Sequence, residues 1–213
     1  MQSGDYGRWV PVMRTTSMKS LLVIAALAGF APIPFALHPA HAQAALSSND
    51  IANSLKGLET TPNIDVVVLR QQALARAKSV AQSSALNRPP IAEQLFKLPQ
   101  FTVEIQFNLD SAVIRHESYR TLGRIADALY HPVLLDYRFL VVGHTDSTGK
   151  REYNLNLSQK RAEAIREVLI TTFKIAPQRV MAVGLGEEQL QDPAHPAAAV
   201  NRRVQIVTIG KQK

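Results

Sequence analysis

The 213-residue chain is 46% hydrophobic and 19% charged, enough for one well-packed domain plus appendages. It contains no cysteine, which excludes disulfides, thiolate metal sites, cysteine nucleophiles and a lipid-modified N-terminal cysteine. The formal charge of +7 points to an anionic partner, but the basic residues are scattered and form no nucleic-acid-type run.

Lys19 precedes an apolar stretch, Ser20 to Leu37, and "HPAHAQA" follows with Ala40 and Ala42 at signal-peptidase spacing. Residues 1–42 are therefore expected to be a secretory signal cleaved after Ala42, with Met13 or Met18 as an alternative start. The stretch is near spanning length, so an uncleaved membrane anchor is the competing reading; Pro32, Pro34 and the A-x-A pattern favour cleavage. Membrane association is expected only through an uncleaved signal or through a partner.

Residues 43–98 read as an N-terminal segment and linker without an assignable role. "SSNDIANSLKGLE" suits a short helix capped by Ser48 or Asn49 and ended by Gly57. "IDVVVLRQQALARAKSVAQ" places Leu69, Ala73, Ala77 and Val80 on one helix face, although "IDVVV" also suits a strand. "SSALNRPP", Ser83 to Pro90, is a linker signal.

From Phe101 the pattern becomes regular. "FTVEIQF" alternates as a half-buried strand. A helix follows with Leu122, Ile125, Ala126 and Leu129 on one stripe, and His131-Pro132 ends it. "YRFLVVGH" is a continuous apolar run suited to the centre of a sheet. A long helix runs to near Phe173, and "RVMAVGLG" and "NRRVQIVTI" supply two more strands. The order β-α-β-α-β-β predicts an α/β (α+β) two-layer sandwich with helices on one face of a mixed sheet, over residues 99–213.

"GHTDSTGKREYNLNLSQKRAEA", Gly143 to Ala164, concentrates the chemistry. Asp146 lies on the loop at the carboxyl end of a strand, where open α/β sheets place ligands. On the following helix, at about 100° per residue, Ala162, Ile165, Val168, Leu169 and Thr172 share an arc with Asn154, Ser158 and Arg161. An arginine in that arc needs an anionic partner, because desolvating it unpaired is costly. Two readings follow. Either Arg161 pairs with Asp146 and pins loop to helix, or the two flank a zwitterion, Asp146 taking an ammonium and Arg161 a carboxylate bidentately.

These residues resemble the signature of OmpA-like peptidoglycan-binding domains, the OmpA, MotB and Pal group. The match comprises Gly143, His144, Thr145, Asp146, Gly149, Tyr153, Asn154, Leu157, Ser158, Arg161 and Ala162. A second motif, Asn201-Arg202-Arg203-Val204, and "QFNLDSAVI", Gln106 to Ile114, extend it over about half the chain. The resemblance implies non-covalent binding of peptidoglycan through the diaminopimelate of the stem peptide, which anchors or tethers the protein to the cell wall. By motif position, Asp146 accepts the ammonium and Arg161 grips the carboxylate, which favours the second reading. Asp110 lines the same pocket, Leu157 and Asn154 contact the peptide, Ser158 holds the loop to the helix, and Arg202 and Arg203 are structural. The family often has a proline after "GLGE"; here "EQL" ends in Leu190, so that loop is expected to differ. The location implied is the periplasm or cell envelope, at or near the outer membrane, with an envelope protein as a further candidate partner and no cofactor.

Two rival functions are weighed. An enzyme would use His144, Asp146 and Ser158, which are triad types. But Ser158 is on a helix rather than an elbow turn, no oxyanion loop is evident, and His116, His131, His144 and His195 lack metal-ligand spacing. No catalysis is expected. The other alternative is a structural or partner-binding periplasmic module of the same fold that does not bind cell wall.

Overall fold

The computed structural model describes residues 47–58, 62, 64–79 and 88–212. The expected signal at 1–42, its cleavage site, Val80 and most of the 83–90 linker lie outside them.

The first described helix, α1, is Ser48–Leu55. Its cap is Ser47, not Ser48 or Asn49. Only Ser47 lies one residue outside the first turn, where its hydroxyl accepts from the Asp50 N–H (3.2 Å) and its own N–H reaches the Asp50 carboxylate (3.1 Å). The second helix, α2, is Val66–Lys78. The strand alternative for "IDVVV" loses because Asp65 caps the helix, accepting from Val67 and Val68 N–H at 2.9 and 3.1 Å. Leu69, Ala73 and Ala77 are buried, as the stripe predicted.

Strand β1, Gln100–Val103, is shorter than the alternation suggested. Its antiparallel ladder runs from Gln100↔Val207 to Val103↔Val204, and Val204 is where the last strand begins. Beyond it the chain turns away, with Gln106 N–H donating to Ser118 Oγ at 2.8 Å. Helix α3 is Tyr119–Leu129, β2 is Tyr137–His144, α4 is Arg151–Thr171, β3 is Val180–Gly186 and β4 is Val204–Lys211. β4 starts three residues later than the motif suggested, because Ala199–Asn201 form a 3₁₀ turn. The fully buried Asn201 staples that turn, accepting from Gln191 and Asp192 N–H and donating to the carbonyls of Asp192, His195 and Pro196.

The sheet order is β1-β4-β2-β3, with β2 and β3 parallel and β4 antiparallel to β1 and β2. Alternation along β2 sends Phe139 and Val141 to one face and Leu140 and Val142 to the other, all four fully buried. The first face packs on Leu122, Ile125 and Leu129 of α3 and on Ala162, Ile165 and Leu169 of α4. This is the expected mixed sheet with the domain's own helices on one side. Ile51 and Leu55 of α1 join the same cluster.

The second face is covered by the preceding segment. Leu69, Ala73 and Ala77 of α2, with Ile91, Ala92 and Leu95, pack on Leu140, Val142, Val183, Leu185, Val207 and Ile209. Burying one such aliphatic side chain is worth about 1.5–3 kcal/mol, so an uncovered second face would be strongly unfavourable in water. Among the described residues no helix is long and apolar enough to cross a membrane.

Candidate functional site

Two glycines let α4 lie flush on the strands. A Cβ at Gly143 would overlap the carbonyl of Ser158, and one at Gly184 would overlap the backbone nitrogen of Gln159. Side chains of the first helical turns then bind the strand ends directly. Ser158 Oγ accepts from Gly186 N–H at 2.9 Å and donates to Leu155 O at 2.8 Å, while Gln159 Oε1 accepts from Gly184 N–H at 2.7 Å. Ser158 thus joins the end of β3 to the helix.

The loop after β2 is held at four points. Thr145 N–H donates to Gly186 O, and Ser147 N–H donates to Pro196 O, both at 3.0 Å. Asn154 is 4% exposed and lies beneath the loop. Its amide reaches the carbonyls of Asp146 (3.2 Å) and Thr148 (3.1 Å) and the carboxylate of Glu187 (2.8 Å).

Asp146 and Arg161 do not pair, contrary to the first of the two readings. Asp146 Oδ2 instead accepts from Arg202 Nη1 at 2.7 Å, and Oδ1 accepts from Thr148 N–H at 3.0 Å. Burial raises the Asp146 pKa, but the Arg202 and Thr148 hydrogen bonds outweigh it and hold the carboxyl below its usual value. Arg202, expected to be structural, thus contacts the Asp146 loop directly. Arg203, its neighbour on the opposite side of the chain, is the structural one: it is 6% exposed and donates to Gln189 O at 3.0 Å. Both arginines precede β4, and sequence could not say which one faces the loop.

Arg161 is half-buried. Its Nε donates to Ser111 O at 2.9 Å, and its guanidinium lies 4.9 Å from the centre of the Phe107 ring. Burial lowers its pKa, opposed by nearby Tyr153 and Asp110. Among the described residues the two terminal nitrogens of Arg161 have no hydrogen-bond partner. The loop it holds presents Asp110, a non-glycine residue with φ of +54°, whose carboxylate accepts from the Tyr153 hydroxyl. That bond raises the Tyr153 pKa. Beside it opens a groove of about 420 Å³ lined by Asp110, Ser111, Ala112, Tyr153, Asn156, Leu157 and Lys160.

Of the predicted residues, Asp110 and Leu157 line the groove, Arg161 braces its wall and Asp146 sits on the neighbouring loop. Tyr153, Ser111 and Lys160 were not singled out. Tyr153 stands in the motif, and Lys160 lies outside the apolar arc, where it reads as an ordinary solvated charge.

The triad-type residues take three separate partners. His144 Nε2 meets Gln205 Oε1 at 2.6 Å, Ser158 binds the backbone and Asp146 binds Arg202. His144 is 3% exposed, and burial, together with the charge of Arg203, pushes its pKa well below the ordinary histidine value, so it is neutral. Among the described residues no three His, Asp or Glu side chains converge as metal ligands.

The Arg202 contact makes a measurable prediction. In Arg202→Met, the Asp146 carboxyl should titrate at higher pH than in the wild type, as followed by carboxylate NMR. An unchanged titration would remove Arg202 as the cause. Because the folded pKa is depressed, the pair's contribution is present above the unfolded value of about 4 and is lost as pH falls through the folded one. The substitution should shrink that acid-side loss.

The OmpA family matches residues 106–203. The chain is 38% identical over 105 residues to outer membrane porin F of Pseudomonas fluorescens, covering 48% of this chain and 31% of that protein. It is 38% identical over 93 residues to the peptidoglycan-associated lipoprotein of Mesorhizobium japonicum, covering 42% of this chain and 54% of that one. The chain thus spans about a third to a half of the curated relatives it matches. Among solved structures, the cell wall anchor of the T6SS from Pseudomonas aeruginosa is 32% identical, with 53% of this chain and 81% of that chain covered and a TM-score of 0.43. Residues 106–203 are an OmpA-like domain.

Proposed function

We propose that the protein binds peptidoglycan non-covalently through the diaminopimelate of the stem peptide and so tethers itself to the cell wall in the periplasm. The observation that carries this reading is Arg161: a half-buried guanidinium braced by Ser111 O and Phe107, with its two terminal nitrogens uncommitted among the described residues. A carboxylate received there would be bound in the forked geometry that suits guanidinium best. Asp146 supplies the opposite charge. Arg202, half-exposed, stands where the ligand's ammonium would bind, so binding exchanges one cation for another at that carboxylate. Leu157 and Asp110 line the groove for the rest of the peptide. The name of the Mesorhizobium relative, a peptidoglycan-associated lipoprotein, supports the same reading.

The test is sedimentation of the full chain with purified sacculi. The chain should pellet with diaminopimelate-containing sacculi and be released by millimolar-scale free diaminopimelate. Failure to pellet would leave the wall-independent, partner-binding module as the function.

A further inference from the structure

Two buried carboxylates follow β3. Glu187 is 5% exposed and Glu188 is 3% exposed. Buried carboxylates stay charged only when they are paired. Arg151, at the start of α4, holds Glu188 bidentately at 2.9 and 2.7 Å. Glu187 is shared between two elements. Its Oε1 accepts from Arg88 Nη1 at 3.3 Å, and its Oε2 accepts from Asn154 Nδ2 at 2.8 Å. That Asn154 amide is the one beneath the carbonyls of Asp146 and Thr148. Arg88 also lies 3.9 Å from Glu188 Oε2.

Arg88 therefore stands two side chains from the Asp146 loop, although it belongs to the segment that precedes the domain. A second connection runs in parallel. Ala92 N–H donates to Gln189 Oε1 at 3.1 Å, and Gln189 O accepts from Arg203, the residue after the one that grips Asp146.

We infer that the docked segment 88–97 is a brace for the ligand loop: Arg88, acting through Glu187 and Asn154, is a positioning residue for Asp146, and undocking the segment weakens wall binding. The inference rests on the proposed role of Asp146. With Arg88 gone, Glu187 is a buried carboxylate without a counter-charge from the segment, and it turns towards water. Asn154 then loses its acceptor, and the two loop carbonyls lose a fixed donor. The coupling is reciprocal, so ligand binding tightens docking of the segment.

The test uses the full chain carrying Arg88→Met, which keeps most of the stem and removes the charge. Its binding to diaminopimelate-containing sacculi should weaken about fivefold or more, the lower end of typical coupling between sites. In an Asp146→Asn background the same substitution should change binding by less than about twofold, because the group it positions has already lost its charge. Equal losses in both backgrounds would overturn the brace and leave Arg88 a plain structural contact. Should Arg88→Met fold poorly, Glu187→Leu serves instead: it removes both the ion pair and the acceptor of Asn154, and should weaken binding in the same direction. Amide exchange at Thr148, measured without sacculi, reads the loop directly. Faster exchange in Arg88→Met supports the brace even if the wild-type chain fails to bind sacculi, which would sink the ligand reading alone. Unchanged exchange together with wild-type binding overturns the brace.

Discussion

Arg161→Lys is expected to weaken sacculus binding by at least about tenfold, a loss of about 1.4 kcal/mol. Lysine keeps the charge but has no planar fork. It cannot donate from the Nε position to Ser111 O while aiming two more nitrogens at a carboxylate. It also gives up the stacked face over Phe107. Asp146→Asn should lose a similar amount, since an amide still accepts from Thr148 N–H but cannot neutralise an ammonium. A charge contact at about 4 Å is worth about 1 kcal/mol in water and about 4 at an effective dielectric of about 20, so a loss of this size lies within the range of one contact. Both losses should shrink as salt rises, because the site is partly open and screened. Melting temperatures are the control: each variant should stay within a few degrees of the wild type. Wild-type sedimentation by Arg161→Lys would sink the assignment of the carboxylate site.

Gly184→Ala should be the most destabilising single methyl in the domain. The added Cβ meets the backbone of Gln159, which cannot rotate away as a side chain could. Relief requires α4 to lift from β3, which breaks the Gln159–Gly184 and Ser158–Gly186 bonds. Overpacking of this kind costs about 1–3 kcal/mol and more where backbone must move. At about 3 kcal/mol the melting temperature should fall by roughly 6–12 °C for a domain of this size. Gly57→Ala is the contrast. Among the described residues nothing lies within 4 Å of a Cβ added there, and its φ of +89° is what resists substitution. Calorimetry that finds the two equal would refute the close-approach argument.

The legible parts of this fold were those set by local pattern. β2 runs over the residues of its apolar run because its centre, Phe139 to Val142, is buried on both faces. The α3 stripe is buried as its spacing predicts, because a single amphipathic helix has only one way to hide it. What sequence left open was decided by partners far along the chain. β1 stops at Val103 because its ladder partner β4 begins at Val204. The stripe of α2 was visible, but nothing in it named the sheet face it covers. In the site, inward-facing Arg161 was readable from helix geometry. Its contact with Ser111 O crosses 50 residues, and the Asp146–Arg202 pair crosses 56. No spacing rule links positions so far apart. The motif residues marked where the chemistry sits, and the three-dimensional pairing then redistributed it: Arg202 went to the loop, and Asn154 went beneath it.

The position of β4 within the sheet has a consequence for how the protein is made. β1 and β2 are not bonded to each other; each is paired through β4. A nascent chain that has not yet reached Val204 therefore leaves β1 without its ladder and β2 with β3 alone. The sheet cannot close stepwise during synthesis, and its central ladders must wait for the last strand to emerge. Loop closure of this long range is slow, and it keeps the sheet open until β4 has been made.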